Sequence, residues 1–489
     1  MAQIDVCIVR PPRLLDCEAF REIAESLRYA LLRLGHGSTI VENRFPADRT
    51  SVVLGAHLLG ARALEVLPAS AIVYNLEQIG PDTARDNPGY LELLRSRPFW
   101  EYCAGNLAAY AALGAKVDAR LVPVGYVPEL SRIQRAEAED IDVLFYGSLS
   151  EPRSKILEEL REAGLNTQAV FGVWGPTRDE MIARAKLVLN LHFYPTKLFE
   201  IVRVSYLLAN RKAVVSESTE LAATEAELAD ALRFAPPAAL ADACVELAYD
   251  AGQRRALEEQ GHARFRARRL EDSLAKLVGA AAHPGPQVRF PVKLNIGSGK
   301  DWREDCLNVD IGAQWRPDAV LDIGQPFELP LELDTRRFGP LALHENMFDE
   351  IVASHVLEHI RDLPAAMTNF VRLLKPGGLL RVAVPYDLSY GAWQDPTHVR
   401  AFNERSWYYY TGWFWYMGWT EHRFEIAELT YTLSPVGEEA HKRGIDFEEI
   451  LRMPRAVDEM RAVLRKIFLT DEEVREAARM RGETRDVAA

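Results

Sequence analysis

KLNIGSGKDW, residues 293–302, is the stretch on which the fold turns. An apolar run enters Gly297-Ser298-Gly299, where missing side chains let the backbone bend tightly and approach a ligand. A lone G-x-G is a common turn, so its weight depends on the residues downstream of it. LNVDIG, residues 307–312, places Asp310 at the end of the next short strand, where a carboxylate can accept both hydroxyls of a ribose. The plainer reading is a glycine turn beside a surface aspartate.

Working outward, VLDIGQPFELP (320–330) sets Asp322 beside an apolar wall, and FDEIVASHVLEHI (348–360) predicts a strand over Ile351 to Ala353 passing into a helix. NFVRLLKPGGLLRVAVP (369–385) predicts a helix stopped by Pro376-Gly377-Gly378 and then another strand. These four elements in this order resemble class I S-adenosylmethionine-dependent methyltransferases, down to a V-L-E-H-I-like helix start and an L-K-P-G-G turn. The resemblance covers about 100 residues and implies a doubly wound Rossmann-like domain that takes S-adenosylmethionine as cofactor. It implies that Gly297 and Gly299, in a stretch with Asn295 and Ser298, flank the methionine part. Asp310 is then the ribose ligand, Asp322 lies near the adenine, and Ser354 and His355 line the same pocket. His355-Val-Leu-Glu358-His359 also fits the H-x-x-E-H pattern of inverted zinc peptidases. It falls where the fourth strand of the methyltransferase series should end, so no metal is expected.

Methyl transfer from a sulfonium is an in-line displacement, for which the protein must hold a nucleophile close and take its proton if it is a hydroxyl. The segment PYDLSYGAWQDPTHVRAFNERSW (385–407) is too polar and aromatic for a core and succeeds a strand at the ligand-binding edge. Its Asp395-Pro-Thr-His398 resembles the D-P-x-H segment of methyltransferases from polysaccharide gene clusters. His398 is the expected general base, because a neutral imidazole takes a hydroxyl proton near pH 7. Asp395 is expected to orient it. His359 is the alternative base, and Tyr386, Asp387 and Arg400 are candidate acceptor contacts. The plainer reading of His398 is a residue that ties the loop down. The aromatic run SWYYYTGWFWYMGW (406–419) reads first as core, and otherwise as a face for a sugar or another ring system.

The first half alternates short β-branched runs with helical patterns, which implies parallel sheets. IDVCIV (4–9), GSTIVE (37–42), SVVLG (51–55) and SAIVYN (70–75) form one series. A second begins at Ile141 with IDVLFYGS, and in VLFYGSLSEPRSKIL (143–157) Gly147-Ser148 sits at a strand-to-helix turn suited to a phosphate. FYPTKLFEIVRVSYLLANRKAVVSE (193–217) predicts a helix beginning near Lys197. There Lys197 would neutralise a diphosphate and Glu200 would accept from a ribose, unless the two are merely an i,i+3 surface pair. This part resembles the C-terminal half of two-domain, metal-independent glycosyltransferases of GT-B-like arrangement, which implies a nucleotide sugar as co-substrate. The family's second glutamate is absent, since its position falls near Tyr206 or Leu208. Asp140-x-Asp142 precedes its strand instead of ending it, so it is no metal-diphosphate motif. Glu77, at a strand end, is a candidate base on the acceptor side.

Length bounds the organisation, because 489 residues at roughly 150 per domain predict about three domains. The reading divides the chain into a Rossmann-like unit (1–136), a nucleotide-sugar-binding unit (137–280), a proline-containing linker (281–291), a methyltransferase domain (292–435) and a C-terminal helical extension (436–489). A net charge of −13 without an aromatic-interleaved basic cluster disfavours nucleic acid as partner. The start has no secretory pattern and no run of apolar residues is long enough to span a bilayer, so a cytoplasmic enzyme is expected. Five scattered cysteines without a C-x-x-C pair predict buried thiols. Together these features point to a bifunctional enzyme of glycan assembly, methylating a sugar hydroxyl on a glycan acceptor. Two alternatives stand beside it: a silent, glycan- or partner-binding first half, and a methyltransferase acting on a lipid, quinone or peptide.

Overall fold

Two parallel sheets and one mixed sheet organise the computed structural model, which describes residues 2–12, 14–193, 198–218, 228–279 and 290–482. The chain divides into two compact units, Met1–Val288 and Arg289–Ala489. Among the described residues no helix is long and apolar enough to cross a membrane.

Unit 1 holds two of the sheets. In the first, β1 (Ile4–Ile8), β2 (Ile40–Glu42), β3 (Thr50–Leu54), β4 (Ala71–Asn75), β5 (Phe99–Glu101) and β6 (Ala119–Leu121) run in the order 2-1-3-4-5-6. In the second, β7 (Ile141–Tyr146), β8 (Thr167–Val170), β9 (Ala185–Asn190), β10 (Ala213–Glu217) and β11 (Arg233–Ala235) run 11-10-9-7-8. All their pairings are parallel. The central strands are buried on both faces, as helix-covered parallel sheets must be: every residue of β1 and β10 is buried. The last described helix of the unit, Leu270–Val278, crosses back to the first sheet. Its Glu271 pairs with Arg33 at 2.7 Å, and the Tyr126 amide donates to the Arg268 carbonyl at 2.7 Å.

Unit 2 is a seven-stranded sheet with a small hairpin. Its strands are β12 (Lys293–Ile296), β13 (Leu307–Asp310) and β14 (Ala319–Val320), then the hairpin β15 (Leu331–Thr335) and β16 (Gly339–Leu343), then β17 (Phe348–Ser354), β18 (Leu374–Pro385), β19 (His422–Leu433) and β20 (Val457–Phe468). The sheet order is 14-13-12-17-18-20-19; the first five are parallel and the pairings of β20 are antiparallel. Strand order reverses between β12 and β17, and a doubly wound sheet leaves a ligand crevice at that point.

The structure departs from three local expectations. The residues after β17 form one 3-10 turn, Leu357–His359, and the helix starts only at Leu363, where the Asp362 side chain accepts the Ala365 amide at 3.0 Å. That helix ends at Leu373, three residues before Pro376. Lys375 to Gly378 bulge out of β18 instead, since Phe348 pairs with Leu374 and Glu350 with Leu379. The C-terminal region is not a helical extension. Short helices occur at Pro435–Lys442, Phe447–Leu451 and Asp471–Met480, but β20 is a strand of the sheet, inserted between β18 and the edge strand β19. Its inward set Met460, Ala462, Leu464 and Lys466 has the period of two that a strand requires.

Candidate active sites

The loop after β12 is shaped by its glycines. Gly297 and Gly299 have φ of +61° and +38°, and a Cβ on Gly297 would stand 2.4 Å from Val356 Cγ2. Asp310, at the end of β13, gathers the surrounding backbone. Its Oδ2 accepts the Gly299 amide at 2.9 Å and its Oδ1 the Gly312 amide at 2.7 Å, which leaves each oxygen a further lone pair. Asp322 comes after β14, half-buried, with Oδ1 accepting the Gly324 amide at 3.0 Å. The Leu321 amide donates to the Asp310 carbonyl, which brings the two carboxylate-bearing segments side by side.

Asn295 and Ser298, expected beside the methionine part, are each 1% exposed, so their side chains are buried with the loop. Asn295 is the cross-strand partner of Asn308 and donates to it at 3.0 Å and to the Asp301 carbonyl at 2.6 Å. Asn308 in turn reaches Asp318, which Arg337 grips with two donors at 2.7 and 2.6 Å. Burial opposes the Asp318 charge, yet the Arg337 and Asn308 donors hold its carboxyl below the usual carboxylate range. Sequence reasoning missed this network; two asparagines at paired positions of adjacent inner strands were its signal.

Ser354 ends β17, and His355 comes next with φ of +54°, a left-handed conformation that a non-glycine residue adopts at a cost. Its amide donates to the Ala383 carbonyl at 2.8 Å. Its Nε2 contacts Glu459 at 2.8 Å and its Nδ1 stands 3.4 Å from Glu358, so these carboxylates raise its pKa against partial burial. Residues 355–359 are not a regular helix, so the two histidines do not share a helix face as the peptidase pattern would need.

The loop after β18 brings the two candidate bases together. The His359 and His398 rings meet edge to face, centroids 4.7 Å apart. Asp395 does not orient His398. Its Oδ1 accepts the Thr397 amide at 2.8 Å and hydroxyl at 2.7 Å, and that hydroxyl lies 2.9 Å from His359 Nδ1. These donors lower the Asp395 pKa. The Nδ1 of His398 donates to the Ala392 carbonyl at 3.0 Å. Tyr386 and Asp387 are engaged by Glu404 and Asn403, both at 2.9 Å, and Arg400 donates to the carbonyls of Ile360 and Arg361. The aromatic run divides: Trp407, Tyr410, Phe414 and Trp419 enter the core, while Tyr408, Tyr409, Trp413 and Tyr416 are exposed.

In unit 1 a cavity of about 480 Å³ is lined by residues beyond the C-terminal ends of strands from both sheets. Leu76, Glu77, Gln78 and Tyr102 come from the first; Gly147, Ser148, Phe193 and Glu200 come from the second. Arg178 ties the two parts by donating to Glu22 at 2.7 Å. Gly147 has φ of +141°, and a Cβ there would meet Arg203 Nη2 at 2.9 Å. Arg153, 2% exposed, donates to the Ser148 carbonyl at 2.6 Å. The helix begins at Ile201, later than expected, with Glu200 as the residue before its first turn. Lys197 lies outside the described residues. The i,i+3 partner of Glu200 is Arg203, at 3.3 Å, and Glu200 Oε1 also accepts the Phe193 amide at 3.1 Å. Arg203 was the cation that sequence reasoning missed, although it stands one turn past Glu200. Tyr206, at the missing second glutamate, donates to Asp179 at 2.6 Å. Glu77 stands 3.6 Å from His57, whose pKa burial lowers.

Similarities to solved structures are distant. The structure of Anabaena HepE with UDP and glucose is 9% identical and covers 57% of this chain and all of its own, at a TM-score of 0.41. The sucrose-phosphate synthase of Thermosynechococcus elongatus is 11% identical, covering 57% and 98%, at 0.40. A methyltransferase of Methanosarcina mazei is 13% identical, covering 36% and 92%, at 0.24. At such scores the fold of each unit rests on its own strand order. Two uncharacterised proteins of Acanthamoeba polyphaga mimivirus, L138 and L137, are 32% identical over 83 residues and 29% over 92. Those matches take in 17% and 18% of this chain but only 9% and 13% of the mimivirus proteins, so the chain spans about a tenth of their length. Residues 262–419 match the family model described as a methyltransferase domain, a span that starts in the last helices of unit 1 and runs through the aromatic segment. The C-terminal region of the chain therefore carries a methyltransferase domain.

Proposed function

We propose that unit 2 transfers a methyl group from S-adenosylmethionine to a hydroxyl of a sugar acceptor, and that unit 1 binds a nucleotide sugar and transfers its glycosyl group. The observation that carries the first part is Asp310, which holds the Gly299 and Gly312 amides yet keeps lone pairs for two ribose hydroxyls. Gly297, Asp322 and the residues after β17 supply the remaining walls. The acceptor hydroxyl is activated at the His359–His398 pair.

The unit 1 cavity supports the second part. Gly147 and Ser148 leave room for phosphate, Arg203 offers a cation beside them, and Glu200 lies at the start of the helix with an oxygen for a ribose. Joining both activities in one chain raises the local concentration of a shared intermediate.

Labelled S-adenosylmethionine incubated with cell glycans tests the first part: label should enter a sugar methyl ether, and His398→Ala should cut turnover by roughly 10²- to 10⁴-fold with cofactor affinity unchanged. Calorimetry with uridine, guanosine and thymidine sugars tests the second. One of them should bind, and Glu200→Ala should abolish sugar transfer while sparing methylation. Absence of any binding refutes the glycosyltransferase reading.

A further inference from the structure

We propose that Glu358, His359 and His398 form a site for a divalent transition-metal cation, and that this cation holds the acceptor hydroxyl in unit 2. The reading of its role rests on the methyl-transfer proposal above; the binding of the ion does not. One ligand atom from each residue lies within 4.8 Å of the others. Their burial grades outward from Glu358, which is 1% exposed, through half-buried His398 to exposed His359.

Two observations favour a cation over a chance cluster. Both Glu358 carboxylate oxygens are buried without a hydrogen-bond partner, and the contact to His355 is a long 3.4 Å. A buried carboxylate whose one ion-pair contact, to His355, is this long is costly to keep charged. The two imidazoles, for their part, each keep one nitrogen with a lone pair. Ala392 offers His398 Nδ1 only a carbonyl, so Nδ1 carries the proton and Nε2 the lone pair. The Thr397 hydroxyl gives its single proton to Asp395, so His359 Nδ1 donates to Thr397 and its Nε2 also carries a lone pair. Each imidazole thus retains a lone pair in the cluster that holds the Glu358 carboxylate. This is the outer-shell arrangement of ligating histidines, whose second nitrogen donates to a carbonyl or a carboxylate-linked group. It accounts for Asp395 and Thr397 as residues that position a ligand.

Two imidazoles and one carboxylate suit Mn²⁺ or Zn²⁺ better than Mg²⁺. Bonds of about 2.0–2.2 Å need only a small closing of the three side chains, and the exposed His359 side leaves positions open for substrate oxygen. A hydroxyl bound there loses its proton to solvent more readily. Its oxygen pair then forms the O–CH₃ bond while the S–CH₃ bond breaks, and that electron pair stays on sulfur as the neutral thioether.

The test uses the full chain freed of metal by a chelator and titrated with MnCl₂, and separately with ZnCl₂, by calorimetry, with Mn²⁺ also monitored by electron paramagnetic resonance. One ion per chain is expected, with affinity lowered at least tenfold in Glu358→Gln and in His398→Asn. S-adenosylmethionine binding, measured on each variant, confirms that it is folded. His398→Asn, at the more exposed position, keeps the test open if Glu358→Gln fails to fold. Binding of neither ion overturns the site, as does binding that both variants retain. If the ion binds but chelator leaves methylation unchanged, the site stands and its role in holding the acceptor is refuted. If the ion binds and no hydroxyl acceptor is methylated, the methyl-transfer reading fails and the site stands.

Discussion

Replacing Gly297 by alanine should separate two costs that the loop after β12 combines. The first is conformational: at φ of +61°, an L-residue pays roughly 1–2 kcal/mol that glycine does not. The second is steric. The new Cβ would stand 2.4 Å from Val356 Cγ2 and 3.2 Å from Cγ1, and β-branched valine cannot swing aside at low cost. Overpacking of this kind costs about 1–3 kcal/mol. Gly297→Ala should therefore destabilise unit 2 by about 2–5 kcal/mol. In a Val356→Ala background the contacts to both Cγ atoms go, leaving one at 3.3 Å to the residue 356 Cβ, and the cost falls toward about 1–2 kcal/mol. Urea unfolding monitored by tryptophan fluorescence reads this out, because seven of the nine tryptophans lie in unit 2. Calorimetry with S-adenosylmethionine should show weaker binding in the single variant. An equal cost in both backgrounds would mean that Val356 does not limit the loop, and a cost below about 0.5 kcal/mol in both would refute both contributions.

Ending the chain after residue 448, within the segment expected to be a helical extension, removes β20 from between β18 and β19. Unit 2 should then become insoluble and lose cofactor binding; a soluble product would mean that β20 is dispensable. In unit 1, burial pushes the Glu101 carboxyl up to about 7, although Asn75, Asn106, Tyr110 and the Cys103 amide all donate to it. Between the unfolded value and about 7 only the folded chain keeps that proton, so this contribution is full below about 4.5 and is lost as pH rises through about 7. It amounts to about 3 kcal/mol at most. Melting of wild type from pH 5 to 8 should show the loss, and Glu101→Gln should flatten it.

The core of the methyltransferase sheet was legible because its signals are local. The glycines of the loop, the carboxylate ending β13 and the apolar runs of β12, β17 and β18 each depend on a few neighbouring residues. The elements that escaped depend on distant partners. β20 hid because one of its inward residues is Lys466, 2% exposed, whose ammonium meets Asn346 at 2.6 Å and the Leu374 carbonyl at 2.8 Å. No apolar count registers a lysine there. β5, β6 and β11 are three residues each, too short to show a period. The expected helix after β17 failed at His355, whose left-handed backbone no side-chain pattern encodes. Asp395 and His398 sit in one short motif, yet the fold spends them on different partners, Thr397 and Ala392.

The acceptor loop is better understood as fixed to the segment after β17 than as a cover over it. The Val399 amide donates to the Glu358 carbonyl at 2.9 Å, Arg400 clasps the carbonyls of Ile360 and Arg361, and the Thr397 hydroxyl contacts His359. These contacts fall on both sides of His398. Its position relative to Glu358 and His359 is therefore set by one backbone hydrogen bond and by the Arg400 and Thr397 side chains on either side of it. At the far end Trp407, Tyr410 and Phe414 are sunk in the core of the sheet and prevent the loop from lifting as a body. Reacting groups held on a loop need such support to stay within a few tenths of an ångström of a working geometry. The exposed side of His359 and the outward Trp393 lie on the solvent face of this loop, so under the proposed methyl transfer substrate choice changes there while Glu358 and His398 stay in place.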